Sequence, residues 1–292
     1  MHRVTKLVIC WLLGSVSLTV NVATAQDAST PQLTFEEMEQ FLLRAEIVDL
    51  KDLSIGVTGS QRATLTDGKM THDAHVQTVD IFRKKFSRGK KTELNFRDFY
   101  GFNVAAYRLD KLLDLDMIPV SVRRTVRGKP AAVTWWVDNV MMGAEEFRDS
   151  GRKPPDMERF NDQKLQGWAF QQLVQNRDPN LGNFLIDANW KPWMLDFTRA
   201  FRQWKKLEDV ARLTRIPRPF YDRLRRLDPA DVKRELGPYL QKGELKGLLA
   251  RRELLVEHFD RLIAEHGEAS VLIDRLDTGS NNRTADGKPE NE

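Results

Sequence analysis

The run Asn176-Arg177-Asp178-Pro179-Asn180-Leu181-Gly182-Asn183 leads directly into two short apolar segments, Phe184–Ile186 and Trp193–Leu195, which end on Asp196-Phe197-Thr198. Asp187–Pro192, between the apolar segments, is polar and turn-rich, so the pair predicts a small β-hairpin. A hairpin brings the residue before its first strand and the residue after its second to one end of the sheet. Asn183 and Asp196 are thus expected side by side, with Asp178 in the loop that precedes them. A helical pattern over Met157–Val174 runs into this loop.

The remaining pattern divides the chain in two. Thr34-Phe35-Glu36-Glu37 matches a capping box, and Phe35, Met38, Phe41 and Leu42 follow at helical spacing. Ile55–Val57, Arg62–Leu65 and His72–Val79 read as three antiparallel strands, with Asp67-Gly68 a strong hairpin signal. Phe96–Leu113 is expected to be helical. Ile118–Arg123 and Ala132–Val137 read as two more strands, joined by a basic turn with Gly128. After Asp138 the strand signal fades. Leu207–Leu213, Pro219–Leu227, Pro229–Leu240 and Glu244–His266 are expected helices, and Asp228-Pro229 and Gly243-Glu244 mark helix starts. A strand-rich part holding one helix, followed by a helix-rich part, is α+β layering in two lobes. The expected boundaries are 53–138 for the first lobe and 139–277 for the second. A linker and helix (26–52) precede them, and a polar, disordered tail (278–292) follows.

The first 25 residues have another character. Arg3 and Lys6, an apolar run from Leu7, and Ala23-Thr24-Ala25 before Gln26 form the pattern of a secretory signal peptide. Export to a periplasmic or extracellular space is expected; the alternative is a membrane anchor of residues 7–23. The only cysteine, Cys10, lies inside this segment, so the rest of the chain has no disulfide, thiolate nucleophile or cysteine metal site. The formal charge of +4 falls to +2 without Arg3 and Lys6. Basic residues cluster at Arg83–Lys91 and Arg123–Lys129, which read as hairpin tips or solvated faces, and no nucleic-acid partner is expected. A membrane partner is expected only if the N-terminal segment is retained.

Arg177-Asp178 with Asn183 five residues after the aspartate has the R-D-x-x-x-x-N spacing of a kinase catalytic loop, and Asp196-Phe197-Thr198 stands where Asp-Phe-Gly would. Phosphoryl transfer needs metal to neutralise phosphate charge and a group to orient the attacking hydroxyl. Mg²⁺ prefers hard oxygen ligands, so Asn183 and Asp196 are the candidate metal ligands. Asp178 is the candidate catalytic residue, orienting the hydroxyl or taking its proton. Asn176–Phe201, with Asp178-Pro179-Asn180-Leu181-Gly182-Asn183 and Leu195-Asp196-Phe197, resembles the atypical kinase superfamily of phosphoinositide 3/4-kinase-like, HipA-like and secretory-pathway kinases. In element order the resemblance covers about Leu53–His266. It implies a two-lobed protein-kinase-like fold, ATP as donor, Mg²⁺ or Mn²⁺, and a lobe linker at Val137–Val140 that binds adenine through backbone groups.

Gly56-Val57-Thr58-Gly59-Ser60 sits where a phosphate-covering loop belongs; backbone N–H groups and the Thr58 and Ser60 hydroxyls would meet phosphate oxygens. The third strand, His72–Asp80, has no lysine. Gln77 is the best match to that position, with His75 on the same strand face, and Asn103 matches the helix glutamate that a conventional kinase pairs with the lysine. Arg62, partnered by Glu93 or Asp98, is one replacement for the lysine; weak or absent nucleotide binding is the other outcome. Between Phe197 and Leu207 there is no Ala-Pro-Glu, which separates the chain from conventional protein kinases. Three functions are compatible with these residues: an exported kinase acting on a protein, lipid or sugar hydroxyl, a non-catalytic kinase-like binding module, or a nucleotidyl transferase on the same fold. There is no G-x-S-x-G, H-E-x-x-H or Walker A sequence.

Overall fold

Alternating apolar residues joined by two tight turns build the first sheet. The computed structural model describes residues 33–53, 59–88 and 91–274, all of which belong to one unit beginning at Leu33. The chain opens with α1 (Phe35–Arg44), started by the expected capping box: Glu37 N–H donates to Thr34 Oγ1 (3.2 Å) and Thr34 N–H to Glu37 Oε2 (2.7 Å). Strand β1 (Glu46–Asp52) pairs antiparallel with β2 (Gln61–Thr66), and β2 with β3 (Thr71–Gln77). In the β2–β3 turn Asp67 Oδ1 accepts the N–H groups of Lys69 (2.9 Å) and Met70 (2.8 Å), and Gly68 takes φ +84°. Strand β4 (Asp80–Arg88) and β5 (Lys91–Phe99) form a separate hairpin, followed by α2 (Gly101–Leu113). Strands β6 (Ser121–Val126) and β7 (Lys129–Trp135) complete a five-stranded antiparallel sheet of order β1-β2-β3-β7-β6. Helices α1 and α2 pack on β6 and β7.

The second part is mostly helical. Strand β8 (Val140–Gly143), α3 (Ala144–Ser150) and α4 (Met157–Val174) lead to β9 (Phe184–Asp187) and β10 (Pro192–Met194), and the strands form a small sheet of order β10-β9-β8. Strand β11 (Ile216–Pro217), α5 (Arg218–Arg226), α6 (Pro229–Leu236), α7 (Lys242–His266), α8 (Glu268–Val271) and β12 (Leu272–Ile273) follow, with β11 and β12 pairing in parallel. One contiguous apolar core runs from Leu42 and Phe102 through Phe170 and Phe197 to Phe220 and Phe259, joining the sheet to the helices. The α+β, two-lobed layering is as the sequence predicts.

Four elements differ from expectation. The first sheet begins earlier, at Glu46; Ile55–Val57 lies outside the described residues. Phe96–Phe99 is strand: pairing with β4 and a left-handed turn at Asn95 (φ +53°) hold it extended, and the helix starts only at Gly101. Leu207–Leu213 has only a 3₁₀ turn at Val210–Arg212, too short to repay helix nucleation without a side-chain cap. The helix expected over Pro229–Leu240 ends at Leu236, before Gly237. Residues 1–32 and 275–292, and with them the signal-peptide and tail expectations, lie outside the described residues. No helix among the described residues is long and apolar enough to cross a membrane.

Candidate active site

Helix α4 ends at Val174, and Gln175 turns the chain with φ +49°. Asn176 Oδ1 accepts the Asp178 N–H (3.0 Å), a local turn that sets the loop. Asn180 Nδ2 donates to Asp178 Oδ1 (3.0 Å), and Asn183 Nδ2 donates to the Asp178 carbonyl (3.0 Å). One amide thus orients the Asp178 carboxylate and the other pins its backbone. The Asp178 side chain keeps 44% of its surface exposed, with Arg199 Nη1 3.6 Å from Oδ2.

The β9–β10 hairpin continues past its strands: the Leu195 N–H donates to the Asn183 carbonyl (2.8 Å). This bond brings Asn183 and Asp196 to the same end of the small sheet. Asp196 takes φ +50°, a left-handed conformation that aspartate adopts more readily than most residues. Thr198 holds it there, its N–H (3.3 Å) and Oγ1 (2.9 Å) both donating to Asp196 Oδ1. Phe197 is buried edge-on against Phe170, and its N–H donates to Asn103 Oδ1 of α2 (2.7 Å). The residue matched to a kinase's helix glutamate therefore grips the Asp196 loop directly.

Strand β5 adds groups that the sequence reading did not assign to the metal site. Asp98 is 6% exposed, and its Oδ1 has no hydrogen-bond partner. Burial pushes its carboxyl above the ordinary range, a Thr198 hydrogen bond opposes this, and the charge of Asp196 adds to the rise. The Phe99 N–H donates to the Thr198 carbonyl (2.9 Å), so β5 is stitched to the Asp196 loop. Glu93 lies 2.7 Å from Arg202 and 3.9 Å from Arg199. Burial lowers the Arg202 guanidinium to about 10, with Glu93 opposing that fall. Reading Phe96–Leu113 as one helix hid the placement of Asp98, because strand pairing, not local periodicity, directs that segment.

At the first sheet, Ser60 and Gln77 come together: Gln77 Nε2 donates to Ser60 Oγ (3.1 Å). The Leu53 N–H donates to the Ser60 carbonyl (2.9 Å), closing the loop between β1 and β2, and Gly59 takes φ +66°. Gly56 and Thr58 of that loop lie outside the described residues. His75 faces the Asp196 charge; burial holds its imidazole below the ordinary histidine range and Asp196 partly offsets this. His72 is on the opposite face, stacked on Trp135 (3.7 Å), with Nε2 2.9 Å from Asp138 Oδ1. Arg62 does not reach Glu93 or Asp98. Its Nε donates to Asp73 Oδ2 (2.8 Å) and its guanidinium stacks on Trp136 (4.5 Å). Asp73 is its diagonal neighbour on the adjacent strand, within side-chain reach, whereas Glu93 is engaged by Arg202. Val137 is buried, and Val140 begins β8, its backbone paired with Asp187.

No protein-family model matches the chain, and no curated protein matches it by sequence. Solved structures do match. Hydra Fam20 with sugar has a TM-score of 0.61 at 15% identity, covering 82% of this chain and 92% of that one. The Golgi casein kinase gives 0.59 at 12% identity over 82% and 78%, and the same kinase with Mn/ADP bound gives 0.60 at 12% over 83% and 80%. The fold matches that of these kinase structures. At these identities the likeness is one of fold, and the chemistry rests on the residues themselves.

Those residues suit a divalent cation. Among the described residues no three His, Cys, Asp or Glu side chains converge as a ready-made metal cluster. A side-chain amide oxygen is also a suitable hard donor for such an ion. Because Asn183 donates through Nδ2, its Oδ1 is left for another partner. With Asp196 and the buried, partnerless Asp98 Oδ1 it makes a set of hard oxygen donors suited to Mg²⁺ or Mn²⁺.

Proposed function

We propose that this protein is an ATP- and divalent-metal-dependent phosphotransferase acting on a hydroxyl acceptor, exported from the cytoplasm. The observation that carries the reading is the buried Asp98 carboxyl beside Asp196: burial and the Asp196 charge both disfavour its ionised form, and a cation held between the two would favour it. Asn183, Asp196 and Asp98 would hold the cation, which neutralises phosphate charge when bound. Gly59, the Ser60 hydroxyl and Gln77 line the nucleotide side, with Gly56 and Thr58 in the same loop, and Val137 and Val140 flank the adenine side. Asp178, oriented by Asn180, accepts a hydrogen bond from the acceptor hydroxyl and takes its proton as the new P–O bond forms and the bond to ADP breaks. Arg199, 3.6 Å from Asp178, adds a positive charge near the transferred group. The Golgi kinase with Mn/ADP bound supports this choice of nucleotide and metal. Export rests on the Met1–Ala25 pattern.

The test is γ-phosphate transfer by purified protein with Mg²⁺ or Mn²⁺. Asp178→Asn should lower turnover by about 10²–10⁴-fold with nucleotide binding retained, and Asp196→Ala should remove the metal-dependent thermal shift. Transfer unchanged in Asp196→Ala would refute the reading. A second reading, a non-catalytic binding module, is favoured by Gln77 in the lysine position and by Arg62 being committed to Asp73. Nucleotide binding with no turnover under any metal would establish that one. Mass spectrometry of the product separates a phosphoryl from a nucleotidyl adduct.

A further inference from the structure

The β4–β5 hairpin belongs to neither sheet; among the described residues its strands pair only with each other. Two-stranded ribbons are marginal alone, and this one is held from one side. Phe96 is buried under the guanidinium groups of Arg199 and Arg202 (5.3 Å each) and stacks on Phe86 (4.2 Å). Arg97 Nη1 donates to both carboxylate oxygens of Glu244 on α7 (3.0 Å each).

The rest of the ribbon is left to solvent with an unusual composition. Ile81, Phe82 and Leu94 are 38%, 53% and 63% exposed, and no other element among the described residues leaves three large apolar side chains in water. Beside them Arg83, Lys84 and Lys85 are exposed. The sequence from Arg83 to Lys91 adds Arg88, Lys90 and Lys91 without any acid. The nearby acids are Asp80 at the ribbon's base, Asp98, buried at the site, and Glu93, which is held by Arg202.

Exposed apolar and cationic side chains interleaved on one projecting ribbon fit a surface that is itself apolar beneath an anionic layer. Apolar residues gain by entering the headgroup–acyl boundary, and each Lys or Arg gains from anionic headgroups. An acidic peptide would satisfy the cations but gives Phe82 and Leu94 no reason to face water. We propose that the β4–β5 hairpin docks this protein on an anionic phospholipid bilayer, with Phe82 and Leu94 inserting and Arg83, Lys84 and Lys85 meeting the headgroups. The inference concerns binding and holds whether or not phosphate is transferred.

The test is co-sedimentation of the full chain with vesicles of phosphatidylcholine alone or mixed with phosphatidylglycerol. Residues 1–32 are common to every variant, so differences report the hairpin. Phosphatidylglycerol should promote binding; Lys84→Glu/Lys85→Glu should weaken it by about tenfold or more, and Phe82→Ser/Leu94→Ser by several-fold. Because a variant that misfolds would also lose binding, Phe82→Trp supplies a second readout. Its added emission should shift to the blue and be quenched by brominated lipid chains. Equal binding by all variants with no quenching overturns the proposal. So does charge-dependent capture of an acidic peptide by a protein that ignores vesicles, which would make the hairpin a peptide site.

Discussion

At the candidate site, several polar side chains have a partner that sets their direction. Asp178 is oriented by Asn180, Asp196 by Thr198, and Asn183 by the Asp178 carbonyl. Asp98 Oδ1 has none. His75 gives the site a measurable acid sensitivity. Its folded pKa lies below the ordinary histidine value because burial disfavours the imidazolium. Neutral His75 therefore supports folding above the unfolded value of about 6.5, and that support is lost as pH falls through the folded value. The melting temperature of the wild type should fall more between pH 7 and pH 5 than that of His75→Gln, a difference that differential scanning fluorimetry at matched ionic strength will show. Strand alternation alone put His75 on the same face as Gln77. The Arg62 partnership was not, since a diagonal cross-strand pair depends on register.

At the scale of elements, the β9–β10 hairpin determines whether the site exists. Its turn is organised by Asp187, which is 7% exposed. Oδ1 accepts the N–H groups of Asn189 (2.8 Å) and Lys191 (3.0 Å), and Oδ2 accepts Trp193 Nε1 (3.0 Å). Asp187→Ala would leave three donors without their acceptor, at a cost of about 2–4 kcal/mol, or roughly 5–10 °C in Tm for a domain of this size. Because the same hairpin holds Asn183 beside Asp196, metal affinity should fall in the folded variant too, measurable by calorimetry at low temperature. Short apolar runs around a turn-rich segment made this hairpin readable, as the capping box made α1 readable. The β4–β5 ribbon was not: Lys- and Arg-rich strands show no apolar alternation, and what holds them extended is their pairing with each other, anchored by Phe96 under Arg199 and Arg202.

Across the whole molecule, that ribbon ties the two lobes. Arg97 of β5 meets Glu244 of α7, and Arg202 Nη1 donates to the Arg97 carbonyl (2.7 Å). Farther into the helical lobe, fully buried Arg251 donates to the carbonyls of Leu173 (2.8 Å), Arg202 (2.8 Å) and Trp204, fastening α7 to the segment beyond Asp196. Glu244 also caps α7 by accepting the Gln241 N–H (2.7 Å). Glu244→Ala would leave Arg97 as a largely buried cation, a change that costs about 3–5 kcal/mol. Faster amide exchange should appear in both β5 and the first turn of α7, while β2 and β3 stay protected. Exchange confined to α7 would mean that the two lobes are not coupled through this pair.

The sequence by itself determined whatever depends on neighbours along the chain. It set the capping box of α1, the Asp67-Gly68 turn, the helix α4, and the hairpin that joins Asn183 to Asp196, along with Asp178 at its fixed spacing. Only the tertiary structure decided which distant groups complete the site. Asp98 reaches the Asp196 loop, Asn103 accepts the Phe197 N–H, and Arg62 goes to Asp73. Local periodicity is written in the chain because side-chain direction repeats with the backbone, whereas burial and charge pairing depend on residues far apart in sequence. That is why Asn176–Phe197 could be recognised from the residues alone, and why its third carboxylate could not.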